Sequence, residues 1–259
     1  MLKLLFIGDV VSEIGCNALK KHLSALKKKN HIDITIINGE NSAKGNGISK
    51  ESAQSIFTAG ADAITTGNHV FKRENIYDFL DENQFIIRPF NFHEGCPGRG
   101  FCILDRGAYR VAVLNVQGKI FMDPLLDNPF PAFDRIINEI GDAVTIVDFH
   151  AEATSEKKAA GIYLDGKVSA LIGTHTHVQT ADEQILPNGT AYITDVGMTG
   201  AYHSILGVKD DNVIKKYLTG LPVPFSSAEG ESMINGVVIE VDEKTKKAVG
   251  IKRVYETNL

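Results

Sequence analysis

The 259-residue chain has no tryptophan and only three cysteines, Cys16, Cys96 and Cys102. An odd count without a CxxC pair excludes a disulfide framework and points to a reducing compartment. The spacing of these thiols also fits a metal site poorly. No apolar run approaches the ~20 residues that span a bilayer. The opening stretch, MLKLLFIGDVV, is interrupted at Asp9 and followed by no small-residue cleavage site. It therefore reads as a first strand and not as a signal peptide. Basic charge is not in excess either: the formal net charge is −5, which argues against gripping long nucleic acids. Small phosphorylated substrates stay open, because bound cations would supply local positive charge. The expectation is a cytoplasmic protein with no membrane partner.

What is present is an α/β pattern. Short apolar runs at Leu2–Ile7, Ile34–Asn38, Ala63–Thr66, Val111–Val116, Val144–Asp148 and Ala170–Gly173 mostly lack alternation, as strands covered on both faces do. Between them, Asn17–Lys28, Lys50–Ala59, Glu74–Asn83, Phe133–Ile140, Ser155–Leu164 and Asp210–Thr219 read as helices. Ser49 caps the second and Gly60 ends it. Phe101–Leu104 with Val111–Val116 reads as a hairpin, and Ala191–Thr194, Met233–Val241 and Ala248–Tyr255 as further strands. The expectation is a single domain over residues 1–259, with mixed β-sheets in a sandwich flanked by helices. The irregular, aromatic-rich stretch Phe85–Phe133 reads as excursions over the core, a lid or an interface, and leaves self-association open.

Five strand-like runs end in metal-binding side chains: Asp9; Glu40 and Asn41; Asn68 and His69; His150; His175 and His177. Ligands of open α/β sheets bind beyond the carboxyl ends of strands, so these residues, distant in the chain, are expected on one rim. A metal acting on phosphate needs carboxylate charge and imidazole affinity. Two ions about 3.5–4 Å apart can hold a hydroxide between them and stabilise a leaving oxygen. Each segment alone has a plainer reading. Asp9 in GDV suits a turn, Asn68–His69 suits loop hydrogen bonding, and His150 suits a satisfied core position. Their concurrence at strand ends, with four of the eight histidines among them, favours ligands.

At these residues the chain resembles the calcineurin-like metallophosphoesterases. GDV (8–10), NGEN (38–41), TGNH (66–69), DFHAE (148–152) and GTHTH (173–177) parallel that superfamily's D-x-H, G-D, G-N-H-[DE], H and G-H-x-H blocks. The resemblance is closer to the YmdB-like branch, extending to RPFNFHEGCPGRG (88–100), DFHAEATSEK (148–157), GTHTHVQTADE (173–183) and AYITDVGMTGAY (191–202). Three departures from the superfamily stand out: Val11 replaces the D-x-H histidine, Glu40 the bridging Asp, and Val70 the acid after GNH. The resemblance implies a calcineurin-like fold in which Asp9, Glu40, Asn41 and His177 hold one ion. Glu40, Asn68, His150 and His175 hold the other, and His69 is the general acid. It implies iron or manganese, with zinc also suited to the mixed donors, and hydrolysis of cyclic nucleotides, notably 2′,3′-cyclic ones at the 2′ position, through a bridging hydroxide.

Thr199, Gly200, Tyr202 and His203 read either as a substrate-facing loop or as structure, and Arg88, Arg99 and His93 as phosphate contacts or solvated surface. Two alternatives remain for the whole chain. One is another metallophosphatase, nucleotidase or amidohydrolase, although amidohydrolases place HxH after the first strand. The other is a regulatory nucleotide- or metal-binding protein with weak catalysis.

Overall fold

A computed structural model describes residues 1–259. The chain begins with β1 (Leu2–Ile7), β2 (Asp9–Val10), α1 (Ser12–Asn30), β3 (Ile34–Asn38), α2 (Lys50–Ala59), β4 (Ala63–Thr65) and α3 (Tyr77–Glu82). Its middle holds β5 (Phe101–Asp105), β6 (Arg110–Gln117), α4 (Pro129–Ile140), β7 (Val144–His150), α5 (Thr154–Leu164) and β8 (Ala170–Thr174). It closes with β9 (Gln184–Ile185), β10 (Ala191–Ile193), β11 (Met198–Ala201), α6 (Asp210–Thr219), β12 (Ser232–Val241) and β13 (Ala248–Glu256).

These strands form two mixed sheets. One runs β2-β11-β12-β1-β3-β4 with β13 added to β12, and the other runs β5-β6-β7-β8-β10-β9. The apolar runs that lack alternation are explained by burial on both faces. In β1, Leu4 and Phe6 join Val113, Ile146 and Ile172 of the second sheet in a core between the sheets. Leu5 and Ile7 of the same strand pack instead with Leu19, Leu23 and Ile56 of α1 and α2. Behind the second sheet, Leu114 and Val147 meet Phe133, Ile136 and Leu164 of α4 and α5. The result is a helix–sheet–sheet–helix stack.

Ser49 accepts a hydrogen bond from the Ser52 amide at 3.2 Å and Gly60 takes the left-handed φ of 119°, so α2 starts and stops where its sequence directs. Two helices are longer than expected. The first begins at Ser12, because Ser12, Cys16, Leu19, Leu23 and Leu26 share its buried face. The fourth begins at Pro129, capped by Asn128, because proline costs no hydrogen bond in a first turn. The stretch Phe85–Phe133 is more integral than an excursion: Phe90, Phe101, Phe130 and Phe133 pack behind the second sheet, while Phe121 is exposed. No helix is long and apolar enough to cross a membrane.

Candidate active site

β1, β3 and β4 are parallel neighbours in one sheet, and β7 and β8 are parallel neighbours in the other. Their carboxyl ends therefore open along two rims that meet above the inter-sheet core. Asp9 and Glu40 each follow their strand by two residues, Asn68 and His69 follow β4, His150 ends β7 and His175 follows β8. All seven side chains expected at a metal site, and His69, come together there. Gly67 makes the approach feasible: a Cβ at that position would lie 2.3 Å from the His150 ring.

Hydrogen bonds fix which atoms face the centre. The His150 Nδ1 lies 2.9 Å from Thr174 Oγ1, whose hydroxyl donates to Asp148 Oδ1 at 2.7 Å. Nδ1 therefore carries the ring proton, and Nε2 presents a lone pair. That Nε2 lies 3.1 Å from Asn68 Oδ1, an amide oriented by donation from Asn68 Nδ2 to the Asp123 carbonyl. It also lies 3.2 Å from His175 Nδ1, while His175 Nε2 is 3.1 Å from Glu152. A neutral His175 with its proton directed to Glu152 turns a second lone pair inward. His150 Nε2, His175 Nδ1 and Asn68 Oδ1 then face one another with no proton between them, an arrangement that a cation relieves.

On the other side, His177 Nδ1 is 3.2 Å from the Leu206 carbonyl, which leaves Nε2 3.3 Å from the Asn41 amide and 3.9 Å from Asp9 Oδ1. Glu40 lies between the two groups. Its Oε1 is 3.8 Å from His150 Nε2 and 3.2 Å from His69 Nδ1, and it accepts the His69 backbone N–H. Asp9 Oδ1 and Glu40 Oε2 are buried with no hydrogen-bond partner at all. Orphaned carboxylate oxygens of this kind are costly unless something charged completes them.

The electrostatics agree. Burial pushes the Asp9 carboxyl well above its usual range, with the nearby Asp195 charge adding to it, and burial also raises Glu40. Burial lowers His150 well below the usual imidazole range, lowers His177, and brings His175 to about 4, with neighbouring positive charge contributing to His150 and His175. The imidazoles are thus held neutral, as metal ligands must be, beside carboxylates that lack a counter-charge.

No three His, Cys, Asp or Glu donors close tightly on a single point. The Asp9 and Glu40 oxygens stand 3.8–3.9 Å from the His150 and His177 nitrogens, and the asparagines fill the intervening positions. Donors around one cation at bond lengths near 2.1 Å are themselves about 3–3.5 Å apart. The orphaned oxygens and facing lone pairs thus sit a few tenths of an ångström from that spacing, and the donor set fits metal ions.

Several supporting residues escaped the sequence reading. Lys157, fully buried in α5, donates to the Thr174 carbonyl and to Asp195 Oδ2, both at 2.7 Å. Asp195 Oδ2 in turn accepts the Thr176 amide at 3.0 Å. This strut braces a turn in which His175 and His177 both take left-handed backbone, with φ of 98° and 65°, a conformation unfavourable for non-glycine residues. In sequence Lys157 looks like one more surface lysine of a helix. Asp148 and Glu152 flank His150 in DFHAE, so proximity in that segment was their only signal.

Thr199 and Gly200 are buried in β11, and Tyr202 lines a neighbouring cavity beside His177. Arg88 is buried, directing its guanidinium to the Pro97, Pro89 and Phe90 carbonyls, which corrects its reading as solvated surface or phosphate contact. Arg99 and His93 lie elsewhere, bonded to the Asp81 carbonyl and the Gly95 amide. Above the donor cluster lies a cavity of about 560 Å³. Its floor includes Asn41, His69, His175 and His177, and its wall includes Leu206, Val208 and Phe225–Ser227.

The model of a family described as YmdB-like protein matches residues 5–254. A Bacillus subtilis protein named 2′,3′-cyclic-nucleotide 2′-phosphodiesterase is 50% identical over 255 residues, covering 98% of this chain and 96% of its own. A crystal structure of a protein from Thermus thermophilus superposes with a TM-score of 0.93 at 41% identity over the whole of both chains. That of a Mycoplasma pneumoniae protein titled a novel phosphatase gives 0.93 at 34% identity, over 99% of this chain and 93% of the other.

Proposed function

From the premise that the chain belongs to the YmdB-like family, we propose that it is a metal-dependent phosphodiesterase that hydrolyses 2′,3′-cyclic nucleotides at the 2′ position. The observation carrying this reading is the pair of buried, unpartnered oxygens on Asp9 and Glu40, set among inward-facing imidazole and amide lone pairs. Asp9, Glu40, Asn41 and His177 would hold one ion, and Glu40, Asn68, His150 and His175 the other. Asn41 serves only with its amide turned so that Oδ1 meets the ion, a choice between two atoms of nearly equal size. Iron or manganese suits the mixed oxygen and nitrogen donors, as does zinc. When bound, the ions supply Lewis-acid charge and an activated water at neutral pH.

The chain's own residues do the rest. Asp9 and Glu40 contribute two negative charges to the floor. The relay from Asp148 through Thr174 holds His150 in one tautomer. His69 has its Nδ1 held 3.2 Å from Glu40 Oε1, leaving Nε2 for the substrate. As water oxygen bonds to phosphorus and the bond from phosphorus to O2′ breaks, His69 delivers its proton to O2′, and the product is a nucleoside 3′-phosphate. The reading further takes residues 1–259 as one cytoplasmic domain acting on small phosphodiesters.

The test is elemental analysis of the purified protein followed by a panel of 2′,3′-cyclic, 3′,5′-cyclic and linear phosphoesters. Two ions per chain and a preference for 2′,3′-cyclic nucleotides are expected. His69→Ala should keep its metal and lose on the order of 10²–10⁴-fold in turnover; unchanged turnover removes His69 from proton transfer.

A further inference from the structure

The donor cluster forms only the floor of its cavity. The wall is built by two strips that run side by side: Val208 bridges Ser227, Lys209 N donates to the Ser226 carbonyl at 3.0 Å, and Ala228 N donates to the Gly207 carbonyl at 2.9 Å. The backbone of the wall is therefore fixed. Its side chains are apolar or neutral, and no lysine or arginine lines the cavity anywhere. Phe225 is 53% exposed on that wall although it is a large aromatic residue. Lys216 Nζ of α6 sits 5.0 Å from its ring centroid, a cation–π contact that steadies the ring from outside.

A cavity built to hold further phosphate groups, beyond the one resting on the donor floor, carries arginine or lysine clamps. This one carries none, and Glu152 adds negative charge at the floor's edge. A cavity of about 560 Å³ also greatly exceeds what a phosphate needs and lies in the range of pockets that enclose small organic ligands. An exposed aromatic ring on an uncharged, rigid wall is a stacking platform, and every nucleobase offers it a π-face.

We infer that the wall around Phe225 is a nucleobase subsite: the base stacks on Phe225 while the cyclic phosphate rests on the donor floor, and nucleotides carrying additional phosphates gain nothing there. This rests on the phosphodiesterase reading for the identity of the phosphate end. Because stacking has no directional code, adenine and uracil substrates should differ little.

The experiment compares manganese-loaded wild type, Phe225→Ala and Phe225→Tyr on three esters: adenosine 2′,3′-cyclic phosphate, its 5′-phosphorylated form, and 1-O-methylribose 2,3-cyclic phosphate, which has no base. In wild type the base should lower KM on the order of ten- to a hundredfold. Phe225→Ala should raise KM for the nucleotide to that of the base-free ester, and Phe225→Tyr should restore it. Titration calorimetry with adenosine 3′-phosphate should show the same loss in Phe225→Ala without turnover. An unchanged KM and unchanged binding in Phe225→Ala overturn the subsite. A 5′-phosphate that tightens KM tenfold or more overturns the uncharged wall. If no ester is cleaved, the phosphodiesterase reading falls, and the titration still decides the subsite.

Discussion

Asp148 never reaches the cavity, yet it decides how His150 meets it. Its carboxyl accepts from Thr174 Oγ1 at 2.7 Å and from Asn38 Nδ2 at 2.8 Å, and burial raises its pKa to about 7. Asp148→Asn removes the buried charge at nearly constant shape, but it places an amide donor opposite Thr174 or Asn38, both of which donate. The His150 ring loses its fixed tautomer, and metal affinity should fall about 10- to 100-fold. Calorimetric titration with manganese reads this directly; unchanged affinity would mean that packing alone orients the ring. Residue type and position at strand ends made Asp9, Glu40, Asn68, His150, His175 and His177 legible as one group in the sequence. Nothing comparable flagged Arg88 as a core residue, because its partners are main-chain carbonyls of the irregular segment that it holds, and carbonyls leave no trace in side-chain pattern. The Phe225 wall was invisible for a similar reason: its two strips meet only through tertiary pairing.

At the scale of elements, parallel strands in two sheets deliver the donors, and the stretches after the strands shape the site. The strand pattern was readable because burial on both faces leaves continuous apolar runs, and the hairpin β5–β6 followed from two such runs joined by a short turn. The buried support of the His175–His177 turn was not readable, since a lysine at 157 in an amphipathic helix carries no sign that it points inward. Replacing it shows what it holds. Lys157→Met fills much of the same volume but strands the Asp195 carboxylate without its counter-ion, fully buried behind the donor floor. Removing one partner of a buried pair costs about 3–5 kcal/mol. The Lys157→Met, Asp195→Asn double variant should recover part of that loss, because no charge is then left uncompensated. Urea unfolding midpoints test both. A loss below about 1 kcal/mol for the single variant would show that the turn keeps its left-handed backbone without the strut.

For the whole molecule, the metal-free protein carries its own destabilising charge. Asp9 and Glu40 have pKa values raised by burial. A carboxylate raised in the folded state contributes stability at pH values below its unfolded pKa and loses it as pH rises through the folded one. Metal-free protein should therefore be destabilised by these two groups increasingly as pH rises, while bound cations remove the penalty and also require the ionised form. The gap in Tm between manganese-loaded and chelator-treated protein should widen from acid toward pH 8. With free metal at about a hundred times Kd the stabilisation is about 2.7 kcal/mol, which for a chain of this length corresponds to roughly 5–10 °C in Tm. Glu40→Gln removes one of the two charges and the carboxylate placed between both donor groups, so it should shrink the gap and lower the metal count below two per chain. A gap that stays constant across pH, or a Glu40→Gln protein that still holds two ions, would show that these orphaned oxygens are not what the metal completes.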